Sequence, residues 1–181
     1  ADRALSPLRK FGPPLEDGIK PIDYVELQKS ADVTDPRAMG TYVKSGFSSE
    51  ITADMVAAIV GGFEADPGRV TIVFTQHCGG AIARVPMAAT SFAHRYARVN
   101  LLVVTGWPFG TDGAPHMAWA RKYWAGLERF TRGFYTNEVG DEAAAVVNAN
   151  YGPNYPRLVD VKNRYDPTNL FRLNANVRPS V

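Results

Sequence analysis

Residues able to do chemistry are scattered along this chain rather than gathered in one run. Gln76 and His77 stand just before the Gly79-Gly80 pair. A histidine there suits general-base work near neutral pH, although a histidine closing a strand is more often a surface residue. Glu138 follows Asn137, and a carboxylate becomes a base when burial raises its pKa toward neutrality. Close to Asp141 and Glu142, the same glutamate reads equally as part of a solvated acidic turn. His77, His94 and His116 lack metal-ligand spacing, and the single cysteine, Cys78, adds no partner, so no metal is expected. The chain has no Gly-x-Ser-x-Gly for serine hydrolysis and no Gly-x-Gly-x-x-Gly to cradle a pyrophosphate.

The composition narrows the class. At 181 residues the chain fits one domain able to bury a substantial core. A net charge of +2, with no Lys/Arg block longer than two, gives no case for nucleic acid. No apolar run approaches the roughly 20 residues that span a bilayer, and Ala1 to Leu5 do not read as a signal peptide. One cysteine excludes an internal disulfide and permits a reducing compartment, so bacterial cytoplasm is the expected location.

These residues need elements to hold them. Pro7, Pro13, Pro14 and Pro21 predict an extended lead-in over residues 1–21. A short helix is expected from Asp23 to Ser30. Thr41–Phe47 has strand composition, and Thr52 opens a helix whose Val56, Ile59, Val60 and Phe63 form an apolar stripe, stopped by Asp66-Pro67-Gly68. Three further strands are expected over Arg69–His77, Gly80–Val85 and Val99–Trp107, the last covered on both faces. A helix follows near Pro115, burying Trp119, Tyr123, Leu127 and Phe130, with Gly133 beyond its end. A strand Phe134–Asn137, a helical patch Glu142–Val147, and a helix from Pro156 that buries Leu158, Val161 and Tyr165 complete the chain. The order predicts an α+β fold: an antiparallel sheet covered on one face by helices, with a C-terminal helical segment.

The last third carries the most specific pattern. Phe134-Tyr135-Thr136-Asn137, then Asn150-Tyr151-Gly152-Pro153-Asn154-Tyr155-Pro156, then Arg164-Tyr165-Asp166-Pro167-Thr168-Asn169-Leu170-Phe171-Arg172 resemble the C-terminal segment of the berberine-bridge-enzyme-like family of FAD-linked oxidases. Tyr24, Leu27, Gln28 and Asp32, the Lys44-Ser45-Gly46-Phe47 strand and the Phe92-Ala93-His94-Arg95 loop resemble the family's substrate domain. The resemblance implies a substrate-binding domain over 1–136 and a C-terminal segment over 137–181 that packs on an N-terminal flavin domain absent from this chain. FAD would be bound mainly by that domain, and the chain alone would be inactive.

The resemblance also implies site roles. Asn137 would lie against the flavin ring, and Asn174 and Asn176 match the tail that passes near the cofactor. Asn100 and Leu102 take strand positions where family members present polar residues to substrate; Gln76, ending its strand, and Tyr135, otherwise a packing residue, are further substrate-binding candidates. Many members place a catalytic Tyr where this chain has Glu138, which makes Glu138, or His77, the candidate base. The partners expected are the flavin domain or subunit, a small organic substrate, and a second copy through the face that domain would cover. No nucleic acid or membrane partner is expected. The alternative is a binding module that keeps the fold without flavin.

Overall fold

A computed structural model of the chain describes residues 2–12, 14–30, 39–65, 71–138 and 142–181. Asp32, the Asp66–Gly68 stop, the strand start at Arg69 and Val70, and Asp141 lie outside them. The chain divides into two units, Ala1–Pro36 and Arg37–Val181.

In the first unit, α1 (Asp2–Phe11) replaces the expected extended lead-in. Pro7 removes only its own hydrogen bond to the preceding turn, and the remaining prolines fall beyond the helix end. Arg9 ties the helix to Asp17 at 2.6 Å and to Asp2 at 3.3 Å. The short α2 (Tyr24–Lys29) starts at Asp23, whose carboxylate accepts from the Val25 and Glu26 amides at 2.9 and 3.3 Å.

The second unit is built on a three-stranded antiparallel sheet in the order β1-β3-β2. β1 is Met39–Ser48, β2 Thr71–His77 and β3 Val99–Pro108. The central strand is buried along most of its length, as its continuous apolar sequence predicts. Leu101 and Val103 point to one face, where α3 (Ala53–Glu64) and α5 (Ala114–Leu127) cover them with Met55, Tyr123, Trp124 and Leu127. The α5 row is core as predicted, with Trp119 and Phe130 packed at its margin.

Three local expectations fail for physical reasons. On α3 the packed positions are Met55, Ala58, Ile59 and Phe63, while Val56 and Val60 stay 46% and 48% exposed. The rotation follows from Gly62, where an added Cβ would sit 2.0 Å from the Tyr123 ring, so only glycine admits that ring. Gly80–Val85 is not a strand: Gly79 and Gly80, both at positive φ, turn the chain into the one-turn helix α4 (Ala81–Arg84). Phe134–Asn137 is a turn, because pairing with β1 occurs only at a single bridge between Phe47 and Arg132.

Beyond it, α6 (Ala144–Asn150) and α7 (Tyr155–Tyr165) form the C-terminal segment. α7 buries none of its residues: Val161 and Tyr165 are 46% and 72% exposed, and Leu158 is half-buried. Its end is fixed by Asp166, whose carboxylate accepts from the Leu170 and Phe171 amides at 2.7 and 3.1 Å and pairs with Lys162. Lys162 chiefly, helped by those amides, holds the Asp166 carboxyl below the usual carboxylate range. Among the described residues no helix is long and apolar enough to cross a membrane.

Candidate functional site

Side chains alternate across a strand, so the face opposite the helices carries Asn100 and Leu102 of β3. The register sets Gln76 and Phe47 beside Asn100, and Phe74 and Ser45 beside Leu102. Ile72 and Phe74 on β2 remain 62% and 40% exposed, leaving an apolar margin to this face. His77, paired with Val99, alternates to the other face, where it is exposed.

Asn100 is the centre of the polar cluster and is 2% exposed. Its Nδ2 donates to Glu138 Oε2 at 2.9 Å and to Gln76 Oε1 at 3.2 Å. A carboxylate can only accept, which fixes the orientation of the Asn100 amide. The Asn100 Oδ1 then faces away, buried and without a hydrogen-bond partner among the described residues. An acceptor left in that state costs about 1–3 kcal/mol unless a donor arrives. Cys78 adjoins the cluster: burial pushes its thiol up, against the lowering effect of an Asn100 backbone hydrogen bond, and the Glu138 charge pushes it further up.

Glu138 reaches this cluster from a turn rather than from a strand. The Glu138 amide donates to the Tyr135 carbonyl at 3.0 Å, closing the turn. That geometry sends Asn137 outward, where its Nδ2 donates to Tyr135 Oη at 2.9 Å. Asn137 and Glu138 therefore diverge. Asn137 and Tyr135 line a separate cleft of about 240 Å³ with Phe92, His94 and Asn150.

The turn hangs from two anchors. Upstream, Asn150 Oδ1 accepts from the Phe134 amide and its Nδ2 donates to the Phe134 carbonyl, both at 2.9 Å, so one side chain replaces a strand partner. The same Oδ1 meets His94 Nε2 at 2.8 Å, which makes Nε2 the donor. Burial holds His94 below the usual imidazole range, although the contact with Asn150 opposes it. His94 stacks on Phe47 with centroids 4.9 Å apart. Downstream, Glu142 pairs with Lys44 at 2.5 Å; burial disfavours the Lys44 charge, yet the pairing prevails and raises its pKa.

Asn174 and Asn176 lie in the tail beyond α7. Asn174 adopts φ 59°, and the Asn176 amide donates to the Asn174 carbonyl at 2.8 Å. Asn176 Oδ1 is buried without a partner among the described residues. Arg95 anchors its loop, donating to the Ile82 carbonyl at 3.1 Å. His116 is half-buried and stacks on Trp107. Sequence reasoning missed Asn150 and Cys78. Cys78 stands two residues beyond Gln76, a spacing that suggests the same side of the strand, whereas nothing in sequence marks Asn150 as the Phe134 partner.

Residues 134–178 match the family model described as berberine and berberine like. The chain is 28% identical to an FAD-linked oxidoreductase of Dictyostelium discoideum over 95% of its own length and 38% of that relative's. Its last quarter thus carries the berberine-like segment, and the curated relatives it resembles are FAD-linked oxidoreductases. Its fold matches that of a berberine-bridge-enzyme-like protein of Arabidopsis thaliana, with a TM-score of 0.79 at 19% identity, over all of this chain and 45% of that one. A xylooligosaccharide oxidase of Myceliophthora thermophila, solved with xylobiose, gives 0.78 at 22% identity over 99% of this chain and 43% of the other. The chain thus spans about two-fifths of the length of the curated relatives it matches.

For this berberine-bridge-like chain the family implies FAD. Among four buried asparagine oxygens without a partner among the described residues, those of Asn100 and Asn176 belong to candidate site residues and could meet donor groups, which the flavin ring imide and a substrate hydroxyl both are. No glycine-rich loop offers the amides that a pyrophosphate needs. The residues fit the ring side of the cofactor and not its phosphates.

Proposed function

We propose that this chain is the substrate-facing and C-terminal part of an FAD-dependent oxidase acting on a small hydroxylated organic substrate. The observation that carries this reading is the Gln76–Asn100–Glu138 cluster, three polar side chains from separate segments meeting on the sheet face opposite the helices. FAD, when bound, would supply the hydride acceptor, with O₂ the final electron acceptor.

This chain's own part is to hold the substrate and take its proton. Glu138 is the base: its carboxylate is presented on a turn, with Oε2 held by Asn100. Asn100 Oδ1 accepts from a substrate hydroxyl, and Leu102 with Phe74 gives the apolar wall that keeps water from the reacting carbon. Asn137, displayed outward beside the cleft at Tyr135, faces the flavin ring; Asn174 and Asn176 contribute from the tail. The pyrophosphate is held by sequence that the relatives have in addition to this part, so the isolated chain has no turnover. The exposed Ile72 and Phe74, and Leu170, Phe171 and Leu173 at 69%, 77% and 81% exposure, support burial against that flavin-bearing partner.

The test is Glu138→Gln in the flavin-loaded full-length enzyme, assayed by O₂ consumption on alcohols and sugars beginning with xylobiose. The expected result is a loss of turnover of about 10²-fold or more, the usual worth of a positioned base, with the flavin absorption spectrum unchanged. Turnover within about threefold of the parent removes Glu138 as the base.

A further inference from the structure

Where β1 ends, several segments meet around a cleft of about 300 Å³. Ser48 closes the strand, and its hydroxyl donates to the Glu50 carbonyl at 2.8 Å, a turn that leaves Ser49 and Glu50 exposed along the cleft. Thr52 then starts α3, its Oγ1 accepting from the Met55 amide at 3.2 Å. The positive end of a 12-residue helix therefore forms part of the lining. The chain that leaves α5 supplies the rest, with Arg129 in a single 3-10 turn and Arg132 just beyond it.

Both arginines are tethered close to the cleft. The Arg132 amide donates to the Phe47 carbonyl at 2.8 Å, and its carbonyl accepts from Tyr96 Oη at 2.7 Å. Its charge is near enough to Tyr96 to offset part of the rise that burial gives the phenol. The Arg129 guanidinium lies 4.6 Å from the centroid of the half-buried Phe130 ring. Neither arginine forms an ion pair among the described residues, although Glu50 lines the same cleft. Two cations against one acid leave the cleft positive, and like charges lining one small space repel unless an anion stands between them.

We propose that this cleft is an oxyanion site, taking the phosphate or carboxylate group of a small molecule between Arg129 and Arg132. Each guanidinium is a planar fork of N–H donors matched to either group. Thr52 Oγ1 already accepts from Met55 and keeps its own hydrogen to donate, as does the exposed Ser49 hydroxyl. A phosphate monoester offers three oxygens and a carboxylate two, so only phosphate can meet both forks and a hydroxyl with separate oxygens. Phosphate should bind the tighter of the two. Glu50 opposes either anion. The site takes nothing from the reading of Glu138.

The probes are inorganic phosphate and acetate, titrated at constant ionic strength into the ¹⁵N-labelled chain while the arginine Nε–Hε resonances are followed. Phosphate should shift the Arg129 and Arg132 signals saturably, with a Kd of about 1 mM or tighter. Saturation by acetate alone would support the site as one for carboxylates. Arg129→Gln and Arg132→Gln should each weaken binding about tenfold, and Glu50→Gln should strengthen it. Arg164→Gln removes an exposed arginine of α7 outside the cleft and should leave affinity within about twofold. All four positions are exposed, and the backbone amide spectrum establishes that each variant is folded. Equal weakening by Arg164→Gln and Arg132→Gln would reduce the effect to net charge and overturn the site. A linear, unsaturated response to both probes up to about 50 mM would overturn it as well.

Discussion

The most exacting consequence of this structure concerns Asn150 rather than the proposed base. Its amide closes a two-point ring with the Phe134 backbone, both contacts at 2.9 Å, and Asn150 is 9% exposed. Asn150→Ala strands one N–H and one C=O of Phe134, each worth about 1–3 kcal/mol if left dry. Two clefts lined by Asn150, of about 240 and 300 Å³, let water reach the truncated site and hold the loss near the lower end. The expected destabilisation is about 2–3 kcal/mol, read as a lower urea midpoint at constant m.

Asn150→Asp separates the contacts. It keeps the acceptor facing Phe134 N–H and His94 but turns the donor to the Phe134 carbonyl into a second acceptor. In the parent, burial holds the His94 pKa below its ordinary value of about 6.5. The unfolded chain therefore binds the proton first, and stability is lost as pH falls from about 6.5 toward the lowered folded value. In the variant a carboxylate 2.8 Å from Nε2 raises the folded pKa, so the ion pair is fully present at low pH and lost as pH rises. The stability gap between the two proteins should narrow on going from pH 8 to pH 5. A gap that stays constant or widens refutes the assigned His94–Asn150 geometry, and an Asn150→Ala loss below about 0.5 kcal/mol refutes the backbone ring.

Two glycine substitutions probe the frame around the site. Gly62→Ala should destabilise by about 1–3 kcal/mol in chemical denaturation, although helix propensity alone predicts a gain of about 0.5–1, because its Cβ would meet the Tyr123 ring at 2.0 Å. An increase in stability would mean the α3–α5 contact is wrongly described. Gly133→Ala places a Cβ 2.2 Å from His94 Cε1 and 2.7 Å from Asn150 Oδ1 at a φ of +64°. It should cost at least about 2 kcal/mol and shift the His94 proton resonances; a variant as stable as the parent rejects the packing of this corner.

The sequence shows the central architecture clearly where burial is two-sided. Val99 to Trp107 reads as a covered strand because every residue but Asn100 and Thr105 is apolar or glycine, and the structure buries it so. The α5 row reads correctly for the same reason: large apolar residues recur at helical spacing. The α3 stripe does not, because two adjacent stripes are apolar and the choice between them is made by Tyr123, a residue 61 positions after Gly62. Gln76, Asn100 and Glu138 were each legible as candidates, but their meeting depends on a register and a turn that no local pattern states. Phe134 to Asn137 reads as a strand by composition, yet its pairing partner is a side chain, and composition cannot distinguish the two.

That substitution of a side chain for a strand shapes how the site can work. A strand carrying Glu138 would be fixed residue by residue, and moving the carboxylate would mean breaking a ladder. Here the carboxylate sits on a turn four residues after Phe134, clamped by Asn150, and four before Glu142, paired with Lys44. Between those anchors the contact from Asn100 is what selects a position for the acid group. A change at Asn150, on α6 and with no direct hydrogen bond to Glu138 among the described residues, should reach the Glu138 carboxylate through Phe134, because the upstream anchor and the proposed base share one short length of chain.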